Sequence, residues 1–157
     1  MDNNINIKLR DATVEDVPLI FDFIKELAVY EKLIDQVKTT EESLKESLFG
    51  SQKYAEAIIA EFDEKPAGQA LFFHNFSTFL GRPGIYLEDL YVRPAFRGKG
   101  IGKALLLRII EIAKERKCGR VEWAVLDWNE PAINFYKSLG AIPMEEWTIF
   151  RLTENKF

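Results

Sequence analysis

Between Leu90 and Ile110 the chain has no Asp or Glu, but it carries Arg93, Arg97, Lys99, Lys103 and Arg108. Inside this stretch, Arg97-Gly98-Lys99-Gly100-Ile101-Gly102-Lys103 alternates glycine with other residues just ahead of a helical pattern. Glycine reaches positive φ without a Cβ clash and lets another backbone or a ligand come close. Successive free N–H groups there, with the positive end of the following helix, form a cradle for phosphate. Arg97, Lys99 and Lys103 add formal charge. The chemistry implied is binding of a phosphate-bearing anion; a flexible turn with a solvated basic rim is the alternative. No Gly-x-x-x-x-Gly-Lys-Ser/Thr pattern is present, and position 103, where a dinucleotide fingerprint needs its third glycine, is Lys.

Two other reactive residue types occur once each. His74, in Leu71-Phe72-Phe73-His74, reads as a sheet residue, and Cys118, after a helix ending in Lys-Glu-Arg-Lys, reads as structural. A single cysteine forms no internal disulfide and no cysteine metal cluster. No metal site is expected.

The elements that must position the turn follow from periodicity. Ile5 to Arg10 alternates as a strand does. A helix follows with Ile20, Phe23, Ile24, Leu27 and Ala28 on one face. Thr13 or Asp16 caps it, and Pro18 suits its first turn if Asp16 is the cap. Thr40 to Phe49 is a short helix stopped by Gly50. Tyr54–Phe62 and Ala67–Phe76 form an antiparallel hairpin about Asp63-Glu64-Lys65-Pro66, and Gly81-Arg82-Pro83-Gly84 breaks the chain before a strand at Ile85–Arg93. A long helix is expected over Gly100–Arg116, with Ile101, Leu105, Ile109 and Ile112 inward. Then come a strand at Arg120–Leu126, a helix at Asn129–Leu139 with Gly140 as C-cap, and a final strand at Trp147–Leu152. The order β-α-α-β-β-β-α-β-α-β predicts a mixed sheet flanked by helices, an α/β (α+β) class.

At 157 residues and 47% hydrophobic, the chain suits one domain, 1–157, with ample core material. No apolar run nears the ~20 residues of a membrane helix, and Met1-Asp2-Asn3-Asn4 lacks a signal-peptide layout, so a cytoplasmic protein without membrane partner is expected. A net charge of −4 disfavours general nucleic-acid binding and suits either solubility alone or a cationic partner.

Arg97-Gly98-Lys99-Gly100-Ile101-Gly102 resembles the Arg/Gln-x-x-Gly-x-Gly/Ala signature of the GNAT N-acetyltransferases, and the element order is similar to theirs. The runs Ile24-Lys25-Glu26-Leu27-Ala28-Val29-Tyr30-Glu31, Tyr86-Leu87-Glu88-Asp89-Leu90-Tyr91-Val92 and Trp128-Asn129-Glu130-Pro131-Ala132-Ile133-Asn134-Phe135-Tyr136-Lys137 resemble the spermidine/spermine subfamily, including its thialysine-acetylating branch. The resemblance spans nearly the whole chain. It implies a GNAT fold, with a mostly antiparallel sheet of six to seven strands and about four helices, and acetyl-CoA as co-substrate.

The resemblance also assigns residues. Leu90, Tyr91 and Val92 would hydrogen-bond the pantetheine arm through their backbones, and backbone N–H of this strand would polarise the thioester carbonyl. Arg97, Gly98, Lys99, Gly100, Ile101, Gly102 and Lys103 would hold the pyrophosphate. Asn129, Glu130, Pro131 and Ala132 would line the cofactor's far side. Glu88 matches the candidate base, acting through water, and Tyr136 the general acid. By its own pattern Tyr136 also fits a core position beside Ala132, Phe135 and Leu139, and Glu88 a solvent-facing one. Tyr30, Glu31, Glu88 and either Glu145 or Glu146 would meet the acceptor. At that last point the sequence departs from the polyamine enzymes, because Glu146 abuts Trp147 with no intervening glycine. The implied acceptor is a small cationic amine, either a polyamine or diamine or a thialysine-like amino acid, and a homodimer is implied. Acetylation of a protein or peptide amine, and a non-catalytic acyl-CoA-binding module, are the alternatives.

Overall fold

The computed structural model describes residues 6–157. The chain forms two compact units, the first running to Ala124 and the second Val125–Phe157. The first holds one sheet of five strands in the order β1-β2-β3-β4-β5. These are β1 Ile7–Asp11, β2 Glu56–Phe62, β3 Lys65–Ser77, β4 Arg82–Val92 and β5 Val121–Trp123. Pairing is antiparallel except between β4 and β5, which run parallel. Its helices are α1 Val17–Tyr30, α2 Glu41–Phe49 and α3 Ile101–Glu115, the last being the crossover from β4 to β5.

Local chemistry explains most boundaries. Asp63 and Glu64 both take positive φ, 48° and 63°, the two-residue turn that matches strand twist. α2 starts at the Thr40 side chain, which accepts from the Ser43 amide at 3.1 Å. Asp16 ends a 3-10 turn rather than capping α1 with its side chain. Its carboxylate instead accepts from the Thr13 amide and both arms of Arg10, while Pro18 lies in the first turn of α1.

The α1 and α2 side of the sheet is filled by Ile20, Phe23, Leu48, Ala57, Ile59, Leu71 and Tyr91. Residues alternating with these, such as Ile58, Ala70 and Phe72, are buried as well, and α3 packs on β2, β3 and β4. All four inward residues expected of α3 are buried. Burial on both faces is why these strands read as continuous apolar runs.

Several expectations shift. Ile5 lies outside the described residues, and β1 reaches Asp11. The break before β4 falls at residues 78–81, where the Leu80 amide reaches Ser77 Oγ and Gly81 takes φ +63°. Arg82, Pro83 and Gly84 are therefore already strand. β5 keeps only three of the residues from Arg120 to Leu126.

The second unit contains α4, Glu130–Ser138, with Asn129 as N-cap. It ends in a Schellman arrangement: the Gly140 amide bonds Lys137 O, the Ala141 amide bonds Tyr136 O, and Gly140 has φ +89°. The final strand expected at Trp147–Leu152 is not formed. A strand needs a neighbour to satisfy its backbone, and no strand pairs with this segment among the described residues. Trp147, Ile149, Phe150 and Leu152 are all well exposed. Among the described residues the sheet thus has five strands, not six or seven.

Candidate active site

β4 organises the site. Its pairing with β3 slips where Leu71 faces Asp89 and Phe72 faces Leu87, so Glu88 is the extra residue of a β-bulge. Its pairing with β5 stops one residue earlier, at Leu87 with Trp123. From Glu88 to Val92 no strand pairs with β4 on the side away from β3 among the described residues. Alternate N–H and C=O groups of that stretch have no sheet partner there, as an extended amide-bearing ligand would require. Leu90, Tyr91 and Val92 all belong to this edge.

The edge leads into the glycine turn. Gly98 and Gly100 have φ +77° and +84°, with open space where a Cβ would project. Gly100 is the N-cap of α3 and offers no side-chain acceptor. The first amide closed onto the helix is that of Ala104, to Gly100 O at 3.0 Å, so the N–H groups of Ile101, Gly102 and Lys103 have no helical carbonyl. A Cβ at Gly102 would meet Val92 Cγ2 at an ordinary 3.7 Å, so nothing in the protein itself demands glycine there. Open N–H groups at a helix start fit a pyrophosphate.

The basic residues divide. Arg93 is bound to Glu26 and Pro66 O, and Arg108 to Glu111 and Glu115. Arg97, Lys99 and Lys103 are exposed around the turn. Arg97 is held in place: its Nε donates to Val92 O at 3.0 Å, and its guanidinium lies 5.0 Å from the Tyr30 ring centroid. Tyr30 therefore sits against the basic turn.

A cleft of about 340 Å³ is lined by acids and apolar side chains: Glu31, Glu88 and Asp89 with Ile24, Leu27 and Leu33 among its walls. Adjacent strand residues normally point to opposite faces; the bulge lets Glu88 and Asp89 border one cleft. Glu31 is the C-cap of α1, where a negative charge opposes the helix dipole. Burial, and then the charge of Glu88, pushes its pKa up. Asp89 keeps part of its surface open, yet the surrounding protein pushes its carboxyl up to about 7, with Glu88 and Glu31 adding repulsion. A larger cleft, about 510 Å³, also gathers acids, Glu15, Glu41 and Glu42 beside Val14, Val17, Pro18 and Lys45, but none of its lining residues belongs to β4 or the glycine turn.

Asp89 was not among the residues singled out from sequence. The adjacent pair Glu88-Asp89 inside an apolar run was the available signal, because two neighbouring acids share a face only at a bulge. Tyr136 lies on α4, half-buried, with its ring 5.6 Å from that of Phe135. Asn129 is buried at the N-cap; Glu130 and Pro131 are exposed and Ala132 is half-buried in the first turn. Glu145 and Glu146 are both exposed in an irregular segment. His74 is held in β3 with Nδ1 3.0 Å from Gly84 O and Nε2 2.9 Å from Arg116, as a structural residue would be. Among the described residues no group of three His, Cys, Asp or Glu is placed to hold a metal ion, and no helix is long and apolar enough to cross a membrane.

A strand edge left open beside a bulge, running into a phosphate cradle, is the arrangement of an acyl-CoA-dependent transferase. Residues 22–141 match the model of the Acetyltransferase (GNAT) family, and the chain belongs to that family: it is an acetyl-CoA-dependent N-acetyltransferase. It is 40% identical over 156 residues to a thialysine N-epsilon-acetyltransferase of Bos taurus, covering 92% of this chain and 91% of that one. It is 33% identical to a human spermidine/spermine N(1)-acetyltransferase-like protein, over 95% of this chain and 23% of that protein. Among solved structures, an integron cassette protein from the mobile metagenome of Vibrio cholerae superposes with a TM-score of 0.80 at 26% identity, covering 97% of this chain and 95% of that one.

Proposed function

We propose that this enzyme transfers the acetyl group of acetyl-CoA to the primary amine of a small cationic acceptor, a polyamine or diamine or a thialysine-like amino acid, by direct attack on the thioester. The observation that carries the reading is the convergence of Glu31, Glu88 and Asp89 on one cleft, at the point where β4 loses its neighbour. Acetyl-CoA supplies an activated acyl carbon and a thiolate leaving group. The N–H groups of Ile101, Gly102 and Lys103, with Arg97, Gly98, Lys99 and Gly100, bind its pyrophosphate. The open edge at Leu90, Tyr91 and Val92 orients its arm, and backbone N–H there stabilises charge developing on the carbonyl oxygen. By the resemblance alone, Asn129, Glu130, Pro131 and Ala132 are further cofactor-binding residues in this reading.

An alkylamine with a pKa near ~10 arrives as an ammonium ion. The carboxylates attract it, and Glu88 receives its proton through water, which frees the nitrogen lone pair. The nitrogen bonds to the acyl carbon as the carbon–sulfur bond breaks. Tyr136 protonates the departing thiolate, and the second proton shed by the acylated nitrogen passes through water to restore the phenol; a phenol of pKa about 10 and a thiol of about 8.5 are close enough for this transfer. Tyr30, Glu31 and Glu146 complete the acceptor contacts in this reading. The whole chain, 1–157, acts as one catalytic domain, in the cytoplasm. The exposed apolar run Trp147–Leu152 supports a homodimer, since a second copy would cover it.

A panel of spermidine, putrescine and thialysine, read by release of CoA thiol at fixed acetyl-CoA, tests the reading. Acetylation of at least one, with kcat/KM well above that for a lysine-containing peptide, is the expected result. Turnover of peptides alone, or acetyl-CoA binding with no turnover, overturns it.

A further inference from the structure

The acceptor cleft is not acidic throughout. Beyond Glu31, Glu88 and Asp89 its lining continues along Leu33, Gln36, Val37, Lys38 and Thr39, and among the described residues Lys38 is the one basic residue in it. No ion pair ties Lys38 to another described residue, and it is exposed at the cleft's rim. The segment bearing it is fixed. The Leu33 amide bonds Ala28 O at 2.8 Å across Lys32, whose φ is +61°. A 3-10 turn at Ile34–Gln36 then closes with the Val37 amide on Ile34 O at 3.1 Å. The cleft therefore presents carboxylates, an apolar wall of Ile24, Leu27, Ala28, Leu33 and Val37, and a polar rim with one cation and the Gln36 and Thr39 side chains.

A polyamine fits this layout poorly, because its second ammonium would meet the charge of Lys38. An amino acid with a terminal side-chain amine fits it: the amine faces the acids, the methylene spacer lies on the apolar wall, and the α-carboxylate reaches the rim. Resting on the small-amine reading above, we infer that Lys38 is a specificity-determining residue that receives the acceptor's α-carboxylate, and that the acceptor is a free amino acid rather than a polyamine. Carboxylate and ammonium there form a charge-assisted hydrogen bond. Lys38 takes no part in proton transfer.

The test compares thialysine with 2-(2-aminoethylthio)ethylamine, the same molecule without its carboxylate. The wild-type kcat/KM ratio should favour thialysine by roughly fivefold or more, the size expected of one partly screened charged contact. In Lys38→Met the ratio should fall towards one, through KM for thialysine rather than kcat. Lys38→Arg should retain most of it, and Lys38→Glu should favour the diamine. Lys38 is exposed, so folding should survive each change, checked by circular dichroism and thermal melting. A ratio unmoved by all three variants, with both compounds acetylated, overturns the role of Lys38 and leaves the small-amine reading intact. Acetylation of neither compound overturns this inference; turnover of spermidine or putrescine in the same assay would leave the small-amine reading standing, and its absence would overturn that reading as well.

Discussion

The glycine turn and the acceptor cleft use the same strand in different ways. The turn is contiguous: seven residues supply φ values, open N–H groups and cations, and its main requirement is the absence of side chains. The cleft is assembled from distant residues, Glu31 at the end of α1 and Glu88-Asp89 on β4, and it requires carboxyl groups in places where a protein normally avoids them. Both the helix dipole at Glu31 and the burial of Asp89 act against ionisation. Binding of a shared co-substrate can rest on backbone geometry, whereas selection of the acceptor needs side chains held at an energetic disadvantage.

The contrast can be broken from either side. The largest effect is expected from Glu88→Gln, which keeps the shape and removes the base proposed above. We expect kcat/KM for the amine to fall about a hundredfold or more, with the acetyl-CoA Kd nearly unchanged by calorimetry. A comparable loss in both quantities would mean that turn and cleft are not separable. Gly100→Val forces a β-branched residue into φ +84°. It should weaken acetyl-CoA binding about tenfold and destabilise the fold by roughly 1–2 kcal/mol, seen in titration and in urea melts. The smallest effect is on stability. Asp89 has its folded pKa raised to about 7 from 3.8, so the folded state holds the extra proton between those values. Stability therefore falls as pH rises through this window. Asp89→Asn should melt a few degrees above wild type at pH 8 and close to it at pH 4, measured by scanning calorimetry. Equal shifts at both pH values would place the origin elsewhere than in ionisation.

Legibility in the sequence follows the same division. The glycine turn was readable as a turn with open N–H groups because its residues are contiguous in the chain, and α3 because its inward residues recur at helical spacing. Glu31 and Glu88 were reached only through resemblance, since nothing in local pattern brings residues 57 positions apart into one cleft. Asp89 was missed because alternation assigns it the face opposite Glu88; only the slip against Leu71 and Phe72 reverses that. Arg93 and Arg108 looked like part of the basic site, yet acids elsewhere in the chain or one turn away occupy them. Trp147–Leu152 has strand composition without a strand, because composition specifies what a segment can do and a partner decides whether it does.

The bulge at Glu88 also bears on how this enzyme can change over time. Replacing Glu88 alters one functional group, but deleting it would remove the slip and let β4 pair without interruption against β3. The residues from Asp89 onward would keep their present β3 partners, and therefore their present faces. What the deletion would remove is one carboxyl group and the local bend of the strand, and with them the seating of two neighbouring acids at one cleft. A shortened strand would stay paired and become more regular while the cleft lost its acidic pair, so the irregularity is the part that inheritance must preserve.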